Sequence, residues 1–143
     1  MLANRSVPPA PVTPELVYED VEAAVAWLCD AFDFAVRWQA GGHRAQLWVG
    51  DGAVVVRDAP PDVAPGEPVP GACSAVLVRV EDAQAARTRA LAHGARLVRD
   101  LHDHPYGERQ VTFEDPGGHR WTFTQSIADV APEEWGGVSV DLR

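Results

Sequence analysis

The stretch Glu19-Asp20-Val21-Glu22-Ala23-Ala24 returns later in the chain as Glu81-Asp82-Ala83-Gln84-Ala85-Ala86. In both copies an Asp stands where a helix N-cap is wanted, with small and apolar residues behind it. Outward from the first copy, Glu15 to Glu19 reads as a short strand. Val21, Ala24, Val25, Leu28 and Phe32 then recur at helical spacing. Phe34 to Gln39 is a second strand, Gly41-Gly42 a turn, and His43 to Val49 an alternating strand. Gly50-Asp51-Gly52 is a hairpin signal leading into Ala53 to Val56. The order is β-α-β-β-β.

The second copy is flanked in the same way. Val76, Val78 and Val80 alternate with Leu77 and Arg79 ahead of it, and the helix begun by Asp82 ends at Gly94. Ala95 to Asp100, Arg109 to Glu114 and His119 to Thr124 are three further strands. They are separated by Pro105-Tyr106-Gly107 and Asp115-Pro116-Gly117-Gly118. The predicted architecture is α+β: two tandem β-α-β-β-β modules whose curved sheets surround a cavity. Residues 1–13 are an extended arm, held so by Pro8, Pro9 and Pro11. Residues 14–126 form one domain, with module 1 at 14–58 and module 2 at 72–126. Pro60, Pro61, Pro65, Pro68 and Pro70 mark 59–71 as a linker, and 127–143 is a tail.

Composition narrows the function. Twelve basic residues, all Arg, stand against twenty-one acidic ones in 143, a formal charge of −9. Such a balance disfavours nucleic acid and anionic membrane surfaces as partners. The absence of Lys removes Schiff-base chemistry and the phosphate-loop Lys. No apolar run approaches the ~18 residues of a membrane span, and no secretory signal opens the chain, so the expected compartment is the cytoplasm. Cys29 and Cys73 read as reduced residues at the edge of the core. There is no Gly-x-Ser-x-Gly elbow, and no catalytic residue is assigned.

The segments Pro105-Tyr106-Gly107-Glu108-Arg109 and Asp115-Pro116-Gly117-Gly118-His119-Arg120-Trp121 complete the pattern, together with His93-Gly94-Ala95 and the two repeated stretches. Over about residues 12 to 126 the chain resembles the glyoxalase/bleomycin-resistance/dioxygenase superfamily, the vicinal oxygen chelate proteins. Asp33 stands where that family often has Gly. The resemblance implies the paired-module fold and a homodimer. It also implies that the family's metal enzymes would place ligands on the concave sheet faces, one from each of four strands. Counted back from the helix caps, two of those positions hold Thr13 and Ala75; the strand after Gly41-Gly42 gives Gln46 as the third, and the seventh residue after Asp115 gives Thr122 as the fourth. Neutral oxygens and a methyl group make a poor set for a divalent metal, so no metal and no cofactor is expected. His102 and His104, two apart before Pro105, are the remaining metal candidates.

Strand alternation places Glu15, Val17, Arg44, Gln46 and Trp48 of the first module on the concave faces. From the second it adds Leu77, Arg79, Gln110, Thr112, Arg120 and Thr122. Tyr106 and Arg109 stand at the mouth, where Arg109 either meets a ligand or pins the turn through a carboxylate. Trp48 is the expected stacking wall, whereas Trp27, Trp38 and Trp135 read as packing or tail residues. His119 is expected to hydrogen-bond the backbone of its own turn. These expectations describe a homodimeric protein that binds or sequesters a small molecule without metal, as the bleomycin-resistance branch does. The alternatives are a metal-dependent lyase, dioxygenase or isomerase with atypical ligands, and an accessory domain with a vestigial cavity. The acidic balance suits a cationic ligand, while Arg44, Arg79 and Arg120 suit an anionic or carbonyl-bearing one.

Overall fold

The computed structural model describes residues 2–69 and 72–139. Met1 of the arm, Pro70 and Gly71 of the linker and 140–143 of the tail lie outside the described residues. The first module consists of β1 (Glu15–Val17), α1 (Val21–Phe32), β2 (Ala35–Ala40), β3 (Arg44–Val49) and β4 (Gly52–Arg57). The second consists of β5 (Ala75–Arg79), α2 (Ala83–Ala92), β6 (Arg96–His104), β7 (Glu108–Glu114) and β8 (Arg120–Ser126), followed by a short 3-10 turn, Pro132–Glu134. The two four-stranded sheets have the same topology, β1-β4-β3-β2 and β5-β8-β7-β6. In each, the first strand runs parallel to the last and the remaining pairs are antiparallel.

The repeated Asp residues act as the sequence implies. The Asp20 carboxylate accepts from the Ala23 amide and that of Asp82 from the Ala85 amide, each at 3.0 Å, satisfying a backbone donor at each helix start. One face of each sheet then meets the helices. Leu16, Ala45, Leu47, Val54 and Val56 from the first sheet join Val111, Phe113, Trp121 and Phe123 from the second in a single buried core. Phe32, at the end of α1, links the halves, its ring packing edge-on against Trp121 and Phe123 of the other module. Removing that ring would leave a cavity and cost about 3–5 kcal/mol. The Trp27 indole ties the helices together by donating to the His93 carbonyl at 2.8 Å.

A buried polar clasp also joins the modules. Asp115 and His119 are 4% and 0% exposed. The Asp115 carboxylate accepts from the Tyr18 hydroxyl (2.5 Å), the Trp121 indole (2.8 Å) and the amides of Gly117 and His119 (3.0 Å each). The His119 ring bonds outside its own turn, with Nε2 donating to the Val17 carbonyl of β1 at 2.7 Å. Nδ1 is then left to accept from the Ser74 hydroxyl at 2.8 Å. Burial, reinforced by the Asp115 charge, pushes the Tyr18 phenol far above its ordinary value and keeps it protonated as a donor.

Two local features depart from the expected outline. Strand β6 continues to His104, so the His102-Asp103-His104 segment lies on a strand and not on a loop rim. Register shifts between Leu97 and Arg99 and between Arg99 and His102 blur the alternation that would have marked it. The arm is likewise not extended throughout. Asn4 to Val7 form a turn, closed by the Val7 amide donating to the Asn4 carbonyl (3.1 Å) and the Ser6 amide to the Asn4 side chain (2.9 Å).

Tyr18→Phe is expected to lower unfolding free energy by about 1.5–3 kcal/mol, the range for a hydrogen bond to a charged group. Urea denaturation measures this, and a loss under about 0.5 kcal/mol would show that the clasp does not depend on the phenol. Asp33 ends α1 in the left-handed region at φ 63° and places a carboxylate at the negative end of the helix. Its ion pair with Arg89 is long (3.5 Å) and exposed. Asp33→Gly is therefore expected to raise stability by about 0.5–1 kcal/mol in the same assay.

Candidate functional site

The second sheet presents an open face that the strand registers arrange as transverse rows. Arg96, Glu114, Arg120 and Ala75 form the first row, and Arg99, Thr112, Thr122 and Leu77 the second. His102, Gln110, Thr124 and Arg79 form the third, and His104, Glu108 and Ser126 the fourth. Almost every member is polar, because the apolar residues of the same strands have turned to the helices. Leu77, on the edge strand, is 63% exposed.

Hydrogen bonds tie the rows together. Gln110 donates to Thr124 Oγ1 (3.1 Å), and Thr124 donates to Glu108 (2.8 Å). The hydroxyls of Thr112 and Thr122 share a bond of 2.7 Å. Arg79 donates to Ser126 at 3.2 Å, and Arg96 is paired with Glu114. The Ser126 hydroxyl first, then Thr124 and the Arg79 charge, hold the Glu108 carboxyl below its ordinary range, so it is ionised at neutral pH. At the rim, His104 stacks on Tyr106 with ring centroids 4.8 Å apart and planes 10° apart, and His102 meets His104 edge-on. Trp135, from the tail, closes edge-on against Tyr106. Partial burial, then His102 and Arg99, lower the His104 pKa below its ordinary value.

The first sheet has the corresponding face, built from Glu15, Val17, Trp38, Arg44, Gln46, Trp48, Val55 and Arg57. This face is roofed. The Trp38 indole donates to the Ser6 carbonyl (3.2 Å), Arg37 donates to the Val7 carbonyl (3.3 Å), and Pro8 is buried. Arg37 also donates to Gln46 at 2.8 Å and lies over the Trp48 ring, 5.1 Å from its centroid. Gln46 is consequently only 3% exposed. Glu15 and Arg44 pair at 2.6 Å at the edge of this face.

The expected site residues therefore fall into three groups. Arg79, Gln110, Thr112, Arg120 and Thr122 come together on the open face, with Tyr106 at its rim. Glu15, Arg44, Gln46 and Trp48 share the face that the arm covers. Arg109 lies opposite Asp103 on the other side of the β6–β7 hairpin and forms a bidentate pair with it at 2.7 and 3.0 Å, the turn-pinning arrangement. Sequence reasoning missed Arg37, Trp38, Glu108 and Thr124. Parity alone places Thr124 with Arg120 and Thr122, and it finds Glu108 once β7 is lengthened by one residue. Arg37 and Trp38 follow a register shift between Val36 and Trp38 that alternation does not reveal.

The registers also test the metal positions. Glu15 and Leu77 each precede their helix cap by five residues. Their cross-strand partners are Val55 and Thr122. The first-module counterpart of Thr122 is thus Val55, and Gln46 is its neighbour on β3. Neither choice supplies a metal ligand set. Val55 and Ala75 have no donor atom, Gln46 is held by Arg37, and Thr122 is bonded to Thr112. Among the described residues no three His, Cys, Asp or Glu side chains gather as a metal site, and His102 and His104 have no third partner. The residues present do not fit the divalent metal of the family's enzymes.

The surface grooves lie largely away from the open face. A groove of about 850 Å3 between the modules is lined by Phe34, Val49, Val78 and Phe123, and the open face reaches it only through Arg79.

Two β-α-β-β-β modules of identical topology, each with one sheet face on the helices and one turned away, define the class of fold. The pattern of the Glyoxalase/Bleomycin resistance protein/Dioxygenase superfamily matches residues 11–123, and the chain belongs to that superfamily. TioX from Micromonospora sp. ML1 is 33% identical, covers 85% of this chain and 100% of its own, and superposes with a TM-score of 0.68. An uncharacterized protein of Mycobacterium bovis is 29% identical over 139 residues, 90% of this chain and 91% of that one. Lactoylglutathione lyase from Agrobacterium tumefaciens shares the fold, with a TM-score of 0.65 at 21% identity over 90% of this chain and 98% of its own. No helix among the described residues is long and apolar enough to cross a membrane.

In an NMR titration the His104 imidazole is expected to have its midpoint below the ordinary value of about 6.5. Arg99→Ser removes a positive neighbour that disfavours the imidazolium, so the midpoint should rise. An unmoved midpoint would place Arg99 away from the ring.

Proposed function

We propose that the protein binds a small molecule without a metal, holding it on the open face of the second module, and that it does so as a homodimer. The observation that carries this reading is the donor chemistry at the four positions where the superfamily's enzymes bind metal. They hold Thr13, Ala75, Thr122 and either Gln46 or Val55, while the face around Thr122 is rich in hydrogen-bonding groups. Small-molecule sites combine a few placed polar groups with aromatic and apolar walls. Here Thr112, Thr122, Gln110 and Arg120 supply the first, and Tyr106, His104 and Leu77 the second. Among the described residues nothing covers the face, and a second copy laid against it would exclude water from both ligand and rim. Exposed Leu77 on the edge strand β5 supports such a contact.

Three measurements on the purified full-length protein test the reading. Elemental analysis with calorimetric metal titration should find no stoichiometric divalent metal, and a tightly held Zn, Ni, Fe or Mn would overturn it. Light scattering coupled to gel filtration should give the mass of two chains, and a monomer would remove the closing copy. In a ligand screen, intrinsic fluorescence should change on binding. Trp135→Phe should remove much of that change, since Trp135 borders the rim.

A further inference from the structure

The charges on the open face do not balance, and the excess sits in one place. The whole chain has a formal charge of −9, yet this face carries four Arg against two Glu. Both carboxylates are already matched. Glu114 is paired with Arg96, and Glu108 is held ionised by Ser126, Thr124 and the nearby Arg79. That leaves Arg99 and Arg120. Both are exposed, and neither has a carboxylate within ion-pairing distance among the described residues. In contrast, Arg44, Arg87, Arg89 and Arg109 each have one, and Arg37, Arg57 and Arg79, which have none, donate to neutral oxygens instead. In a chain with acidic residues in such excess, two unmatched guanidinium groups on one polar sheet face need an explanation.

Their placement supplies one. Arg99 stands opposite Thr112 on β6, and Arg120 lies two residues before Thr122 on β8. The two Cα positions are separated by two strand spacings, about 9–10 Å across the sheet, and one row along it. An Arg side chain reaches about 6–7 Å, so both guanidiniums can converge above the Thr112–Thr122 pair. That pair has two hydroxyl protons and one bond between the oxygens, so one proton remains to be donated outward. With both side chains turned toward that pair, two guanidinium forks would flank one free hydroxyl donor and cradle an oxyanion. His104, kept below its ordinary pKa, adds no charge at neutral pH and presents its ring with Tyr106 as a flat apolar edge.

We infer that the ligand of the open face is an anion, a small molecule whose carboxylate or phosphate group is held by Arg99, Arg120 and the Thr112–Thr122 hydroxyls. This rests on the binding function proposed above and adds the chemical class of what is bound. The negative remainder of the molecule slows capture of such a ligand and makes its binding improve as salt is raised from very low concentration. The local cradle supplies the affinity.

The test is an amide NMR titration of the full-length protein at constant ionic strength with three probes: citrate, inorganic pyrophosphate and tetramethylammonium chloride. Citrate or pyrophosphate should give saturable shifts at Thr112, Thr122 and their neighbours, and whichever binds more tightly distinguishes a carboxylate source from a phosphate one. Arg99→Gln and Arg120→Gln should each weaken that binding about tenfold or more, the usual effect of losing one charge-assisted hydrogen bond. Both residues are exposed, so the variants should keep the wild-type amide spectrum elsewhere. Tighter binding of tetramethylammonium at the same amides, unchanged anion affinity in both variants, or no saturable shift with either anion overturns the inference. None of these outcomes touches the metal analysis, so a failure here is separable from a failure of the metal-free binding reading.

Discussion

A carboxylate buried as deeply as that of Asp115 is tolerated only when its oxygens are occupied by donors. Four donors meet it. Two amides come from its own turn, an indole comes from β8, and the Tyr18 phenol comes from the other module. The Tyr18 contact gives the arrangement its reach. Beside it, the His119 ring donates to a β1 carbonyl and closes the same junction a second time. If the junction opened, a charge would be stranded in an apolar core. The relative position of the two sheets is therefore held jointly by this polar clasp and by the packing of Phe32 against Trp121 and Phe123. The Pro116-Gly117-Gly118 turn serves the same end. A Cβ at Gly117 would approach the Tyr18 ring at 2.5 Å, so the ring's seat requires glycine there.

With the junction fixed, each sheet has one face against the helices and one turned away. The away-facing side of the second module is polar because its neighbours in sequence, Val111, Phe113, Trp121 and Phe123, fill the core. The site is thus a by-product of alternation. The residues that make the core possible compel Thr112, Thr122, Gln110 and Thr124 to the other surface. Hydrogen bonds among these side chains then fix the donors and acceptors of the face relative to one another.

Much of this was legible in the residues. The two Asp caps gave the helices, and the glycine-bearing turns gave most of the strand order. Parity placed Arg79, Gln110, Thr112, Arg120 and Thr122 together. What escaped had physical causes. Irregular pairing around Arg99 hid the last turns of β6, so His102 and His104 looked like loop residues. The register shift before Trp38 brought Arg37 and Trp38 to a face that simple alternation assigns differently. The partner of His119 lies a hundred residues away in β1, and no local pattern announces a contact of that range. Counting along the chain points to Gln46 in the first module, because it cannot align two modules whose loops differ in length. The strand register, which gives Val55, can.

The roof over the first sheet has a consequence for how such a molecule can change. The duplicated architecture offers two equivalent surfaces, and a few residues of arm break their equivalence through two carbonyls and one proline ring. None of those contacts belongs to a sheet ladder or to the shared core. Alteration of that segment can therefore uncover or reseal a whole sheet face while both folded modules stay as they are. The number of exposed faces is a separately adjustable property of this architecture, decoupled from the packing of the scaffold that carries them.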